Sequence, residues 1–324
     1  MDVDHVGVVG LGLLGEGIAA CFLLHGFRVV AIDRDQDRLL AARRGIEGAV
    51  QKALAESLTA AEGRRGEPEE GDWSSLLRLE TEYECLRDCD LVVESITEAA
   101  EAKAEVFDQI ERVVDPRAVL ASNTSAIPIS QLQEGRRHPG RCVGMHWAQP
   151  AWRTRFLEVI KGDRTDDSTL AFTLKMARRI GKEPSLCQKD IPGFIVNRIG
   201  YALYREALAL LDEGVADAET IDRSVRNALG LWAALCGPLR WIDLSGGPEL
   251  YARAMEPVLP TLNRATTLSP SLRNLAEAGA RGIQNGLGFY HYSPEDAERW
   301  RTLYQQESER VSNHLDELFP LREE

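Results

Sequence analysis

What the chain lacks narrows it first. No apolar run reaches the roughly 20 residues that a membrane-spanning helix requires. The opening residues, MDVDHVGVVG, carry no basic stretch ahead of their apolar segment, so no secretory leader is expected. Positive charge is in deficit: 38 Lys and Arg stand against 51 Asp and Glu, a formal net charge of −13. Nucleic acid and anionic membrane both call for a cationic face, so neither is expected as a partner. Cysteine is sparse and scattered, at Cys21, Cys85, Cys89, Cys142, Cys187 and Cys236. Only Cys85 and Cys89 lie close together, and no neighbouring Cys or His completes a ligand set, so no metal site is expected. This usage fits reduced thiols in a cytoplasmic protein. Internal repeats and low-complexity segments are also missing. The excess acids are spread through helical patterns, where they read as solvated faces. The 324 residues are enough for two domains with a sizeable core.

What is present is concentrated between Gly7 and Asp33, which read GVVGLGLLGEGIAACFLLHGFRVVAID. A short apolar strand (His5–Gly10) enters Gly10-Leu11-Gly12-Leu13-Leu14-Gly15. A helical pattern runs to Gly26, and a second apolar strand (Arg28–Ile32) ends in Asp33, 18 residues after the third glycine. Strand, glycine turn, helix, strand and acid is the order a dinucleotide site needs. Gly10 permits the tight turn, Gly12 lets backbone approach a pyrophosphate, and Gly15 lets helix pack on strand. The helix start, with Leu13 and Leu14, offers free N–H groups and a partial positive charge. Asp33 suits the two hydroxyls of an adenosine ribose and repels a 2′-phosphate, which favours NAD over NADP. Arg34, next to it, is the one feature that suits a 2′-phosphate.

Alternation of strand and helix continues through the first part of the chain. Arg38–Ser57 reads as an amphipathic helix and Glu62–Asp72 as an exposed glycine-rich loop. Strands are expected at Leu76–Thr81, Leu91–Ile96, Ala118–Ser122, Cys142–Trp147 and Phe156–Lys161, with helices at Lys103–Val113 and Ser168–Ile180. The pattern changes at Asp190-Ile191-Pro192-Gly193, after which nearly everything is helical, including Phe194–Glu213, Ala218–Leu229 and Glu249–Met255. A charged terminal helix starts with Ser293 as N-cap, Pro294 as its first residue and Asp296 in its first turn. The fold class expected is therefore α/β: a doubly wound Rossmann domain over residues 1–190, then an all-helical domain over 191–324.

Four polar residues sit at strand ends or at the domain junction: Ser125 in SNTSAI, His146 in VGMHWAQP, Glu158 in FLEVI and Asn197 in PGFIVNR. Ligands of open α/β sheets bind at the carboxyl ends of the strands, which places Ser125 and His146 at the crevice. Oxidising an alcohol removes a hydroxyl proton while hydride leaves the carbon. Imidazole titrates near neutrality and suits the proton. A carboxylate such as Glu158 on the other ring nitrogen would fix the tautomer, and Ser125 and Asn197 could hydrogen-bond the substrate oxygen.

Together, GLGLLGEGIA, DLVVESITEAAEAK, ASNTS, GMHWAQP, LEVI, KDIPGFIVNR and a terminal GLGFYHY resemble the 3-hydroxyacyl-CoA dehydrogenase family, from Val6 to Tyr292. The resemblance implies His146 as catalytic base, Glu158 as its orienting partner, and Ser125 and Asn197 as substrate contacts. It implies NAD contacts from Asp33, Glu98, Lys103 and Ser125, with Gln149 in a position where the family usually has Asn. A helical domain that shares the substrate seam and forms a homodimer is implied as well.

Departures from the family pattern bear on the substrate. A lysine usual before the terminal GxGFY is Gln284. Two coenzyme A contact positions align with Ala49 and Glu56, and neither supplies the expected polar or basic group. After His146 the family is largely apolar, whereas this chain has Trp152, Arg153 and Arg155, so the arginines suggest a substrate carboxylate or phosphate unless they pair with surface acids. Trp147, Trp152, Trp232 and Trp241 are either pocket walls or core. The leading expectation is NAD-dependent oxidation of the 3-hydroxyl of a 3-hydroxyacyl-CoA. The alternatives are oxidation of a free small 3-hydroxy acid, as in the L-gulonate and L-carnitine dehydrogenase branches, and a non-catalytic crystallin-like NAD-binding protein.

Overall fold

A computed structural model describes residues 4–59 and 73–321, without the side chains of residues 56–59. The Glu62–Asp72 loop and the Glu56 side chain fall outside the described residues. The chain divides into two compact units, Met1–Arg198 and Ile199–Glu324.

In the first unit the elements are β1 (His5–Val9), α1 (Leu13–Leu24), β2 (Arg28–Ile32), α2 (Gln36–Thr59), β3 (Leu77–Glu80), β4 (Leu91–Glu94), α3 (Ala100–Val113) and β5 (Val119–Ser122). There follow a single helical turn α4 (Ile129–Leu132), β6 (Cys142–Trp147), β7 (Phe156–Ile160), α5 (Asp167–Arg179) and β8 (Glu183–Cys187). The strands form one sheet in the order β3-β2-β1-β4-β5-β6-β7-β8. β1 to β6 pair in parallel, and β7 runs antiparallel to β6. Strand order therefore reverses between β1 and β4, the switch point at which doubly wound sheets bind ligands.

Central strands of such a sheet are covered on both faces, and they read as unbroken apolar runs. Val6, Val8, Leu91, Val92 and Val93 are fully enclosed. α1 is apolar nearly all round, and nine of its residues are buried. Its Phe22 meets Phe27 and Trp147 edge-on, with ring centroids 5.6 and 6.0 Å apart. Trp147 is thus core. Trp152 also packs against this cluster, with Lys52 Nζ 5.9 Å from its ring. Trp147 is enclosed, whereas Trp152 is half-buried and keeps part of its surface exposed.

One strand escaped the periodicity. β8 reads EPSLC, too short and too polar to register, and Pro184 argues against a strand. It is nonetheless parallel to β7, at the sheet edge, where a missing N–H is tolerated. None of the six cysteines is bridged. Among the described residues no His, Cys, Asp and Glu cluster suits a metal, and no helix is long and apolar enough to cross a membrane.

α6 (Val196–Asp212) leads from the first unit into the second. The helical unit continues with α7 (Ala218–Ser224), a π-helical turn at Val225–Leu229, and α8 (Gly230–Leu235). α9 (Gly237–Leu244), α10 (Gly247–Met255), α11 (Pro270–Glu277) and α12 (Pro294–Leu318) complete it. Starts follow side-chain caps: Asp217 accepts from Thr220 N, Ser269 from Leu272 N, and Ser293 with Asp296 forms a reciprocal capping box. Trp232 and Trp241 stack on each other within this unit, their planes 9° apart.

Candidate active site

The glycine turn between β1 and α1 is built by three different constraints. Gly10 has φ +92°, a conformation that side chains oppose, and a Cβ there would stand 2.8 Å from the Ser95 carbonyl. A Cβ on Gly15 would collide with the carbonyl oxygen of Gly10. Gly12 differs from both. Its φ of −70° is ordinary, and a Cβ would meet nothing within 4 Å. Nothing in the protein requires glycine there. The space a Cβ would fill lies at the start of α1, whose N-cap has no side-chain hydrogen bond. Uncapped N–H groups and a clear approach fit a pyrophosphate.

Asp33 follows β2 and is fixed by backbone. Its Oδ2 accepts from Leu11 N (3.0 Å) and its Oδ1 from Asp35 N (3.2 Å). Each oxygen keeps lone-pair capacity for a ribose hydroxyl. Arg34 is exposed, as are Gly12 and Leu13, while Leu14 is half-buried. These residues fit NAD, whose nicotinamide supplies the hydride acceptor when bound.

The acid–base pair lies at the opposite end of the crevice and follows from strand register. β6 and β7 are antiparallel, with His146 directly opposite Glu158. Residues so placed share a face and their side chains meet. His146 Nδ1 lies 2.8 Å from Glu158 Oε2. An ionised carboxylate only accepts, so Nδ1 carries the hydrogen and Nε2 presents a bare lone pair. The other oxygen, Oε1, accepts from Ile195 N (3.1 Å) and Val196 N (2.9 Å), at the start of α6. Those two donors and the helix dipole complement the negative charge of Glu158, which is 1 % exposed. Phe156 and Phe194 flank the imidazole, each with its ring centroid 5.8 Å away. Phe194 takes φ +49°, rare for a bulky residue, so the Gly193–Phe194 bend is held strained where it backs the imidazole.

Asn197 comes one residue after Val196. Its Nδ2 donates to the Ser125 carbonyl (2.9 Å), leaving its own carbonyl and one N–H outside that bond. Ser125 follows β5 and is braced from below. Glu98 Oε1 accepts from Thr124 Oγ1 (2.7 Å), Ser125 N (2.8 Å) and Ala126 N (2.9 Å). Burial pushes the Glu98 carboxyl up, but Thr124, Lys103 and those amides outweigh it and hold it below the usual carboxylate range. Hydrogen bonds thus pair His146 with Glu158 and Ser125 with Asn197, and the peptide link from Val196 to Asn197 joins the two pairs.

Lys103 was expected to touch the dinucleotide. It is instead wholly enclosed, with Nζ 2.7 Å from Glu94 Oε1 and 3.4 Å from Glu98 Oε2. A side chain with no exposed surface reaches the crevice only through Glu98. Glu94 is equally buried and also binds Ser122 Oγ (2.6 Å) and Ile96 N (2.7 Å). A charged residue inside the apolar run LVVESI was the available signal for this network. Asn123 joins neighbouring strand ends, donating to Ser95 Oγ (3.0 Å) and accepting from Trp147 N (2.9 Å).

The remaining expected contacts are less central. Gln149 is exposed. Arg155 pairs with Glu183 on β8 (3.1 Å), so the surface-acid alternative holds for it, and Arg153 sits in the turn after Pro150. Ala49 packs against the core. Lys182 went unnoticed in the sequence; it is buried and donates to Ala151 O and Thr154 O, both at 2.5 Å, which pins the turn that follows His146.

Residues 5–191 match the 3-hydroxyacyl-CoA dehydrogenase NAD binding domain, and residues 193–292 match the 3-hydroxyacyl-CoA dehydrogenase C-terminal domain. The chain is 32% identical over 307 residues to 5-formyl-3-hydroxy-2-methylpyridine 4-carboxylate 5-dehydrogenase of Mesorhizobium japonicum, covering 93% of this chain and 96% of that one. It is 36% identical over 293 residues to a probable 3-hydroxybutyryl-CoA dehydrogenase of Deinococcus radiodurans, covering 88% and 99%. Among solved structures, an NAD+-dependent 5-formyl-3-hydroxy-2-methylpyridine 4-carboxylic acid 5-dehydrogenase, described as a dismutase, superposes with TM-score 0.86 at 30% identity over 99% of this chain and 100% of that one. The (S)-3-hydroxybutyryl-CoA dehydrogenase of Ralstonia eutropha superposes with TM-score 0.70 at 30% identity, covering 90% of this chain and 100% of that one.

Proposed function

The chain belongs to the 3-hydroxyacyl-CoA dehydrogenase family, and from that premise we propose that it is an NAD-dependent dehydrogenase whose substrate is a small free hydroxy acid rather than a coenzyme A thioester. That it is an NAD-dependent enzyme of this family, oxidising a hydroxyl of the 3-hydroxy type, follows from the membership. The finer choice of substrate rests on one observation. The pyridine-carboxylate dehydrogenase superposes on this chain with TM-score 0.86, whereas the hydroxybutyryl-CoA enzyme of Ralstonia eutropha reaches 0.70. α12 lies beyond residue 292, where the family's C-terminal domain ends. Ala49 adds support, since a methyl group packed on the core offers nothing to a coenzyme A phosphate.

In this reading His146 Nε2 takes the hydroxyl proton as the carbon gives up hydride. Glu158, a positioning residue, holds the ring and stabilises the imidazolium that forms. Ser125 and Asn197 hydrogen-bond the substrate oxygen, and the donors around Gly12, with Asp33, hold the dinucleotide. Glu98 positions Ser125, and Lys103 positions Glu98. A hydrated aldehyde also carries a hydroxyl on the carbon that yields hydride, so the same base serves a formyl substrate.

NADH formation measured side by side with 3-hydroxybutyryl-CoA, L-gulonate, L-carnitine and 5-formyl-3-hydroxy-2-methylpyridine 4-carboxylate tests the assignment. A small acid should exceed the thioester in kcat/KM by at least about tenfold, a difference of ~1.4 kcal/mol. A preference for the thioester overturns it. The thioester is the second reading, favoured by the 36% identity to the Deinococcus radiodurans protein.

We assign dinucleotide binding to residues 1–190 and dimer formation to residues 191–324. Among the described residues from Ile199 onward, only Ala209 and Ala297 are buried. Leu231, Leu239, Leu244 and Tyr304 are each at least two-thirds exposed. That much uncovered apolar surface supports a homodimer through the helical unit. Light scattering on the purified chain should give twice the 35.9 kDa chain mass. A cytoplasmic location is part of the same proposal, supported by the six unbridged cysteines.

A further inference from the structure

We propose that Arg38 is a positioning residue for the dinucleotide: from α2 it holds the carbonyl of Leu11 and neutralises Glu16, which leaves the start of α1 without an opposing charge where the pyrophosphate is received. The proposal rests on the NAD reading of the glycine turn.

Leu11 lies between Gly10 and Gly12 and is completely enclosed. Its peptide groups are gripped from two directions. The N–H donates to Asp33 Oδ2 at 3.0 Å, and the carbonyl accepts from Arg38 Nε at 2.6 Å. The same guanidinium donates through Nη2 to Glu16 Oε1 at 2.7 Å. One planar cation thus bonds a turn carbonyl and a carboxylate at once, which lysine cannot do with the same geometry.

Glu16 is in the first turn of α1, and its amide makes that helix's opening hydrogen bond, to Gly12 O at 2.9 Å. A carboxylate is favourable at a helix start when nothing else is bound there. At a start that must also accept pyrophosphate, the same charge opposes binding. Glu16 cannot turn away from the helix pair. It is wedged against α2, where a Cβ on Gly45 would collide with Oε2, and its side chain is 15% exposed. Burial pushes its carboxyl up, against the pull of Arg38. Arg38 therefore has two tasks, one steric at Leu11 and one electrostatic at Glu16, on either side of Gly12.

The test is a titration of NAD into the apo protein, followed by intrinsic fluorescence, together with apo thermal melting. Arg38→Met should raise the Kd for NAD about tenfold or more, because it frees Leu11 and exposes the charge of Glu16. Adding Glu16→Gln to Arg38→Met should recover affinity at least about threefold, because the opposing charge is gone. Arg38→Lys keeps the cation without the fork and should fall between wild type and Arg38→Met. The proposal is overturned if Arg38→Met or Arg38→Lys, folded by its melting curve, binds NAD within about twofold of wild type. It is equally overturned if Glu16→Gln brings no recovery, since a role confined to packing would be indifferent to that charge. Wild-type binding in the same titration tests the NAD site separately, so failure of the clamp and failure of the site are told apart.

Discussion

Replacing Glu158 with Gln probes the centre of the proposed catalytic arrangement with the smallest change of shape. The carboxylate accepts on both sides, from His146 Nδ1 at 2.8 Å and from the amides of Ile195 and Val196 at 3.1 and 2.9 Å. An amide has one accepting oxygen and one donating nitrogen. If its oxygen faces the helix amides, its NH2 faces Nδ1; the imidazole then changes tautomer, and Nε2 carries the hydrogen it should remove from substrate. If its oxygen faces Nδ1, the NH2 opposes two buried donors at a cost of about 1–3 kcal/mol. The first arrangement removes the base, and the second keeps the tautomer but loses the charge that stabilises the imidazolium, so kcat should fall by about 10²–10⁴, the usual worth of general base catalysis. The Kd for NAD should hold, because Gly12 and Asp33 are untouched. Stopped and steady-state NADH formation gives kcat, and a fluorescence titration gives Kd. In the double variant with His146→Ala, the loss should not exceed that of His146→Ala alone, because the two residues act as one unit. A Glu158→Gln enzyme within about tenfold of wild-type kcat would refute the assignment of Glu158 as the group that orients His146.

Other outcomes follow from the same geometry. Gly12→Val should leave the melting temperature of the apo protein unchanged, since its Cβ meets nothing, yet weaken NAD binding more than about tenfold; Gly15→Ala should instead destabilise the fold, because Gly10 O occupies the site of the new methyl. Glu98 is held below the usual carboxylate range, so its contribution to stability is complete above the unfolded-state pKa and is lost as pH falls through the folded one. Chemical denaturation from neutral pH into that acidic range should therefore show a steeper loss for wild type than for Glu98→Gln. Burial pushes the Cys89 and Cys142 thiols up to about 12, which leaves roughly one thiolate in ten thousand at pH 8. Peptide mapping after a thiol reagent should find both unmodified in the native protein and modified in denaturant.

How far the sequence could be read depended on how local each cause was. The glycine turn was legible because its demands are local: Gly10 bends the backbone, Gly15 meets the carbonyl of Gly10, and Asp33 lies one strand away. Cap signals at Ser293 and Asp296 were legible for the same reason. β8 was not, because it exists by pairing with β7 rather than by any pattern of its own. The expectation that Lys103 touches NAD came from the family resemblance, and no local pattern in the sequence shows that its side chain is enclosed. Only the packing of α3 against the central strand β4 reveals two carboxylates waiting for it.

By itself the sequence determined the alternation of strand and helix, the glycine turn, the acid that follows β2, and residue types suited to moving a proton. Those depend on backbone sterics, periodicity and side-chain chemistry, which act over a few residues. The tertiary structure alone decided which of these groups meet. His146 and Glu158 are twelve residues apart and become a pair because β6 and β7 run antiparallel in a register that sets them opposite. Asn197 reaches Ser125 because the start of α6 is anchored on Glu158. A one-residue slip of β7 would keep every motif and abolish the dyad, since alternate side chains point to opposite faces.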